Sequence, residues 1–113
     1  MKVIDIYQQY FQADCVYNGQ PRKGARICMT YTYEEGTAAY EVGITFFPYR
    51  NAEDMVISYD AASSEVVYRA PGRRSKKREA QLLTDLPCHA DRLAEGMGGK
   101  IFWDKPITDA RYG

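Results

Sequence analysis

The chain contains one histidine, His89, and a cysteine, Cys88, directly precedes it. A thiol and an imidazole are the parts of a nucleophilic pair, because the base strips the proton that leaves the reactive thiolate. The sequence offers a second aid. A helix starting near residue 86, capped by Thr84 or Asp85 and carrying Pro87 in its first turn, would place Cys88 among unpaired amides that lower a thiol pKa. The pairing fails on direction. Neighbours on a helix project about 100° apart, so His89 is poorly placed to deprotonate Cys88, and no second imidazole exists. A buried cysteine beside a surface histidine is the stronger reading, and a small enzyme using Cys88 ranks third among the functions considered.

Other chemistry is weaker. Cys15, Cys28, Cys88 and His89 could be zinc ligands by type, but their spacing fits no known finger pattern. Glu34 and Glu35 fall at a turn, Glu53 and Asp54 in a loop, where acids are usually solubilising. "GMGG" at 96–99 ends a helix rather than opening one, so it is no phosphate loop. The expectation is no catalytic set, no metal and no cofactor.

The strongest chemical signal is charge. "RRSKKR", 73–78, holds five cations in six positions, and Arg69 precedes them. From 69 to 78 there are six cations and no acid, which leaves nine cations against fifteen acids elsewhere, a charge of −6. The zero net charge therefore conceals an acidic body with one basic patch. The patch also lies at a helix start, with Ser75 as N-cap and Arg78 where a capping box places Glu or Gln. Cations oppose the helix dipole there by up to about 1 kcal/mol each. Local conflicts of this kind mark functional or compensated positions.

Three explanations compete. The cluster is a solvated loop or pairs with the protein's own acids. Or Arg69, Arg73, Arg74, Lys76, Lys77 and Arg78 bind phosphates of a nucleic acid, with Tyr68 and Trp103 as stacking surfaces. Or the patch steers association with a protein partner. Six cations on an acidic domain make a small nucleic-acid footprint, and no known nucleic-acid motif accompanies them. The first expectation is thus a non-enzymatic binding or regulatory protein, of adaptor or inhibitor type, acting by protein–protein contact. A weak nucleic-acid binder is the alternative.

These residues need a frame. Val3, Ile6, Tyr7, Tyr10 and Phe11 follow helical spacing, which predicts an N-terminal helix over 3–12. "RICMTYTYEEGTAAYEVGITFF" alternates with period two about Glu35-Gly36, which predicts a hairpin whose paired numbers sum to 71. Its small polar face carries Arg26, Thr30, Thr32, Glu41 and Thr45, candidate sheet-face contacts. "DMVISYD" and "EVVYRA" about a loop at 61–64 predict a second hairpin, with Tyr59 against Val66 and Ile57 against Tyr68. Two helices follow, about 75–84 and 86–97, broken by Pro87. "KIFWDKPI" reads as a short fifth edge strand, and 108–113 as a frayed tail.

The expected architecture is therefore α+β: an N-terminal helix, a four-stranded antiparallel sheet of two hairpins, and two C-terminal helices on one face. At 113 residues the chain is one domain by length. Ten tyrosines suit a half-buried sheet. The N-terminus resembles no secretory signal and no run suits a membrane span. An odd, scattered set of three cysteines points to reduced thiols, hence a cytoplasmic location.

Overall fold

The computed structural model describes residues 2–17, 19–48 and 61–107. Five antiparallel strands form one sheet: β1 (Lys2–Tyr17), β2 (Gln20–Glu34), β3 (Thr37–Phe47), β4 (Ala61–Pro71) and β5 (Lys100–Pro106). A single helix, α1 (Lys76–Gly96), lies between β4 and β5 in the chain. The strand order is β4-β3-β2-β1-β5. The helix thus leaves one edge of the sheet and delivers the chain to the other. Its 21 residues span about 31 Å, enough to cross five strands spaced about 4.8 Å apart.

The β2–β3 hairpin is the centre of the sheet. Glu34 pairs with Thr37, Tyr31 with Tyr40, Met29 with Val42 and Ile27 with Ile44. Every pair sums to 71. The turn has positive φ at both Glu35 (52°) and Gly36 (79°), the requirement of a type I′ turn, which matches the twist of the flanking strands. Ala38, Tyr40, Val42, Ile44 and Phe46 all face α1 and are buried. Leu82, Leu86, Ala90 and Ala94 meet them from the helix. Burying each large member of this set contributes about 1.5–3 kcal/mol.

The expected arrangement is overturned at three places. Residues 3–12 are strand, not helix. β1 pairs with β2 along its length, but its register shifts between Asp5 and Tyr7 and again between Gln12 and Cys15. A bulge adds one residue and interrupts the period of two. That interruption makes Ile6 and Tyr7 neighbours in an apolar pattern and counterfeits the 3.6-residue repeat.

The two C-terminal helices are one. Pro87 lies inside α1, exposed on the outer surface. The residues expected to cap a second helix are otherwise engaged: Thr84 Oγ1 donates to Ala80 O at 3.0 Å, and Asp85 accepts from Gln81 Nε2 at 3.4 Å. The stripe of Leu82, Leu86, Ala90 and Ala94 runs unbroken past the proline, so sheet packing outweighs the missing backbone hydrogen bond.

The loop expected at 61–64 is strand. Ser63 pairs with Ile44 and Ser64 with Gly43, so β4 lies against β3. The pairings expected for Ile57 and Tyr59 lie outside the described residues, as does the tail 108–113.

The ends of α1 follow local rules. Ser75 has extended backbone and its Oγ accepts from Arg78 N at 3.2 Å. At the other end Gly98 has φ 72°, Gly98 N donates to Glu95 O, and Gly99 N donates to Ala94 O at 2.8 Å. This is the paired hydrogen-bond pattern of a Schellman stop. Gly99 is needed a second way, since a Cβ there would come within 2.5 Å of the buried Phe46 ring. Among the described residues, no helix is long and apolar enough to cross a membrane.

Candidate functional site

The basic segment wraps the end of the sheet where the β2–β3 turn lies. Gly72 N donates to Gly36 O at 3.0 Å, so the chain leaving β4 is tied to that turn before it enters α1. Arg73, Arg74, Lys76, Lys77 and Arg78 are all exposed here. Arg69 is separate. It pairs with Ala39 while Tyr68 pairs with Tyr40, so it lies on the opposite face of the sheet from the helix.

The first turn of α1 resolves the conflict between its charge and its dipole. Glu79, the first acid after the cations, is buried on the sheet side of the helix, at 7% exposure. Arg74 clasps it side-on: Nε donates to Oε2 at 2.9 Å and Nη2 donates to Oε1 at 2.8 Å. Tyr40 Oη donates to the same Oε2 at 2.6 Å. The carboxylate has both oxygens satisfied and complements the helix dipole. The Arg74 pair, with help from Tyr40, holds the Glu79 carboxyl below its ordinary pKa against the opposing effect of burial. Burial and the hydrogen bond to Glu79 push the Tyr40 phenol up to about 12.

Aromatic rings carry two of the cations. The Arg78 guanidinium lies 4.3 Å from the Tyr68 ring centroid, and that of Arg74 lies 5.9 Å from Tyr31. Arg73, Lys76 and Lys77 remain as exposed charges around this frame. A groove of about 560 Å³ opens beside them, lined by Lys2, Tyr31, Tyr33, Arg73 and Arg74. Lys2 stands directly across from Tyr33 in the β1–β2 register.

The sheet-face candidates share one surface. Arg26 pairs with Thr45, Thr30 with Glu41, and Thr32 with Ala39, all partly exposed on the face away from α1. That face and the basic end are different surfaces. The stacking pair expected of Tyr68 and Trp103 is split: Trp103 belongs to β5, at the other edge of the sheet. There it packs edge-on against Phe11 at 4.9 Å and donates to Asp91 Oδ1 at 2.9 Å.

Cys88 is exposed in the middle of α1, not in a first turn with unpaired amides. His89 Nδ1 lies 3.2 Å from Arg92 Nη2, on the next turn of the helix. Cys15 is buried, with its thiol pushed up by burial, and Cys28 faces Gly43. Among the described residues no three His, Cys, Asp or Glu side chains converge as metal ligands.

Sequence reasoning missed Glu79, Lys2, Tyr31 and Tyr33 as parts of this site. For Glu79 a signal existed, because it extends the stripe Leu82–Leu86–Ala90 one step toward the cap and is the first acid to follow the basic run. Lys2 had none, since only the pairing of β1 with β2 brings it near residue 73. No family model, curated protein or solved structure matches the chain.

Proposed function

We propose that this protein is a small non-enzymatic binding or regulatory domain that docks on an acidic protein surface, as an adaptor or inhibitor does. One observation carries the reading. The cationic segment is built onto the fold as a fixed surface: Arg74 is locked to Glu79, Arg78 lies on Tyr68, and Arg73, Lys76 and Lys77 stand exposed between them. Charges held in place need less ordering on binding than charges on a loose tail. The remaining body, at −6, opposes the approach of an acidic surface by any other face and so orients the molecule with this end leading.

The test compares wild type with a variant carrying Arg73→Gln, Lys76→Gln and Lys77→Gln, which leaves the Arg74–Glu79 lock alone. Each is immobilised and challenged with cell extract treated with nuclease, and retained proteins are quantified across a salt series. Proteins held by wild type, released by salt and absent from the variant are the expected result. A parallel arm titrates single-stranded DNA, duplex DNA and RNA. Tight, salt-steep binding in that arm, lost in the variant, would replace this reading with the nucleic-acid one.

A further inference from the structure

The groove at the basic end has a composition that the exposed cluster does not. Its walls carry the cations Lys2, Arg73 and Arg74, and its lining includes the tyrosines Tyr31 and Tyr33. Three chain segments far apart in sequence supply them: the start of β1, the end of β2 and the passage into α1. We propose that this groove is an anion subsite that receives the carboxylate side chains of an extended acidic segment on the protein partner. The inference rests on the docking function proposed above and names the part of the surface that does the recognising.

Three features support the assignment. First, Arg74 is held side-on by Glu79 through Nε and Nη2, so the two Nη1 protons are not used in that pair. The same pair fixes the guanidinium, so a second carboxylate meets a donor already in position. Second, Lys2 is placed opposite Tyr33 by strand pairing, and Arg73 follows the anchored Gly72 by one residue. Lys2 is thus set on a paired strand, and Arg73 lies in the bend that the Gly72 hydrogen bond ties to the β2–β3 turn. Third, tyrosine rings beside the cations exclude water from one side of an incoming ion pair and lower its screening.

The ligand class follows from what surrounds the groove. Glu34 and Glu35 continue the chain directly from Tyr33 into the turn that Gly72 contacts. A continuous phosphate backbone tracking through the groove would run on toward these carboxylates and an acidic body. A short peptide segment presents its charges one side chain at a time and can end before them. The volume of about 560 Å³ suits a few side chains rather than a wrapped strand.

The experiment measures fluorescence anisotropy with a labelled peptide Glu-Glu-Tyr-Glu-Glu, its Gln-for-Glu counterpart and a short labelled oligothymidine, at low salt. Wild type is compared with Lys2→Gln/Arg73→Gln, which alters the groove, and Lys76→Gln/Lys77→Gln, which removes equal charge from the helix surface outside it. All three proteins are checked for equal melting temperature. The acidic peptide is expected to bind, with affinity reduced roughly tenfold in the groove variant and no more than about threefold in the helix variant. The ring protons of Tyr31 and Tyr33 should shift on titration. Equal losses in both variants would overturn the groove as subsite and leave the docking surface standing. Oligothymidine bound more tightly than the peptide, with the same dependence on Lys2 and Arg73, would overturn both readings in favour of nucleic acid. No binding of the acidic peptide, with partner proteins still retained by the intact basic end, would overturn the subsite alone.

Discussion

Replacing Glu79 by glutamine keeps its shape and removes its charge, and the consequences can be worked from three hydrogen bonds. The amide oxygen can occupy the Oε2 position and still accept from Tyr40 Oη and Arg74 Nε. The amide nitrogen then faces Arg74 Nη2, donor against donor, where the carboxylate accepted at 2.8 Å. Turning the amide over moves that clash to Arg74 Nε and takes the acceptor from Tyr40, whose side chain is fully buried. No orientation satisfies both. A hydrogen bond from a buried phenol to a charged acceptor is worth about 1.5–3 kcal/mol, and the partly exposed Arg74 recovers water when released. Glu79→Gln is therefore expected to cost about 2 kcal/mol at neutral pH, or ~8 °C in melting temperature for a chain of this size.

The pH dependence separates this cause from ordinary packing loss. The folded state holds the Glu79 carboxyl below its ordinary value. Its stabilisation is thus present above the unfolded value of about 4.3 and lost as pH falls through the folded value. Protonated Glu79 resembles glutamine, so the gap between wild type and variant should close in acid. Denaturant titrations at about pH 7 and about pH 3 test it. A variant within about 0.5 kcal/mol of wild type at neutral pH would refute the account of the lock, as would an unchanged gap at low pH. Tyr40 gives the opposite limb. Its phenol is pushed up to about 12, so its contribution is present below about 10 and lost as pH rises through the folded value. In Glu79→Gln the Tyr40 phenol should ionise earlier than in wild type, though burial still holds it above its ordinary value.

Three further outcomes follow from the geometry. Glu35→Asn should stabilise by about 0.5–1 kcal/mol, because asparagine adopts the positive φ found there at lower cost than glutamate; an unchanged denaturation midpoint would contradict it. Pro87→Ala should stabilise by about 1–3 kcal/mol by restoring a backbone hydrogen bond on the exposed side of α1, and a loss of stability would mean that a proline bend is needed to fit the sheet. A thiol reagent should modify Cys88 at once in the native protein and Cys15 only on unfolding, since Cys15 is buried and its thiol is pushed up; comparable rates would show that the β1–α1 packing opens readily.

The parts of the fold legible in the sequence are those specified by residues close together in the chain. The β2–β3 register follows from alternation on both sides of one turn, and a slip of one residue would expose Tyr40, Val42 and Ile44 together. Ser75 and the glycines at 98 and 99 act within a turn of their own positions. The errors arise where distant parts of the chain decide. Over 3–12 two periods compete, and β2 settles the matter by pairing with the bulged strand. At Pro87 a local penalty of about 3 kcal/mol is set against a stripe of four buried side chains, whose combined burial exceeds it.

The basic segment shows the same division. Its charge is plain from composition, but its arrangement depends on Tyr31, Tyr40 and Tyr68, which come from three different strands. Strand pairing places Tyr40 and Tyr68 side by side across β3 and β4, and Tyr31 and Tyr40 across β2 and β3. A row of phenols thus runs under the start of α1. One accepts the role of donor to Glu79, one carries Arg78, and one lies beneath Arg74. Tyrosine is suited to all three, since it packs as a core residue while presenting a hydroxyl or a ring face to a charge. Leucine at these sites would bury as well and would leave the cations loose. The predicted cost of losing the lock is therefore paired with a loss of definition at the groove: Glu79→Gln should weaken binding of the acidic peptide while the net positive charge of that end rises. Stronger binding, in proportion to the added charge, would show that electrostatic attraction alone governs this surface and that the placement of Arg74 does not matter.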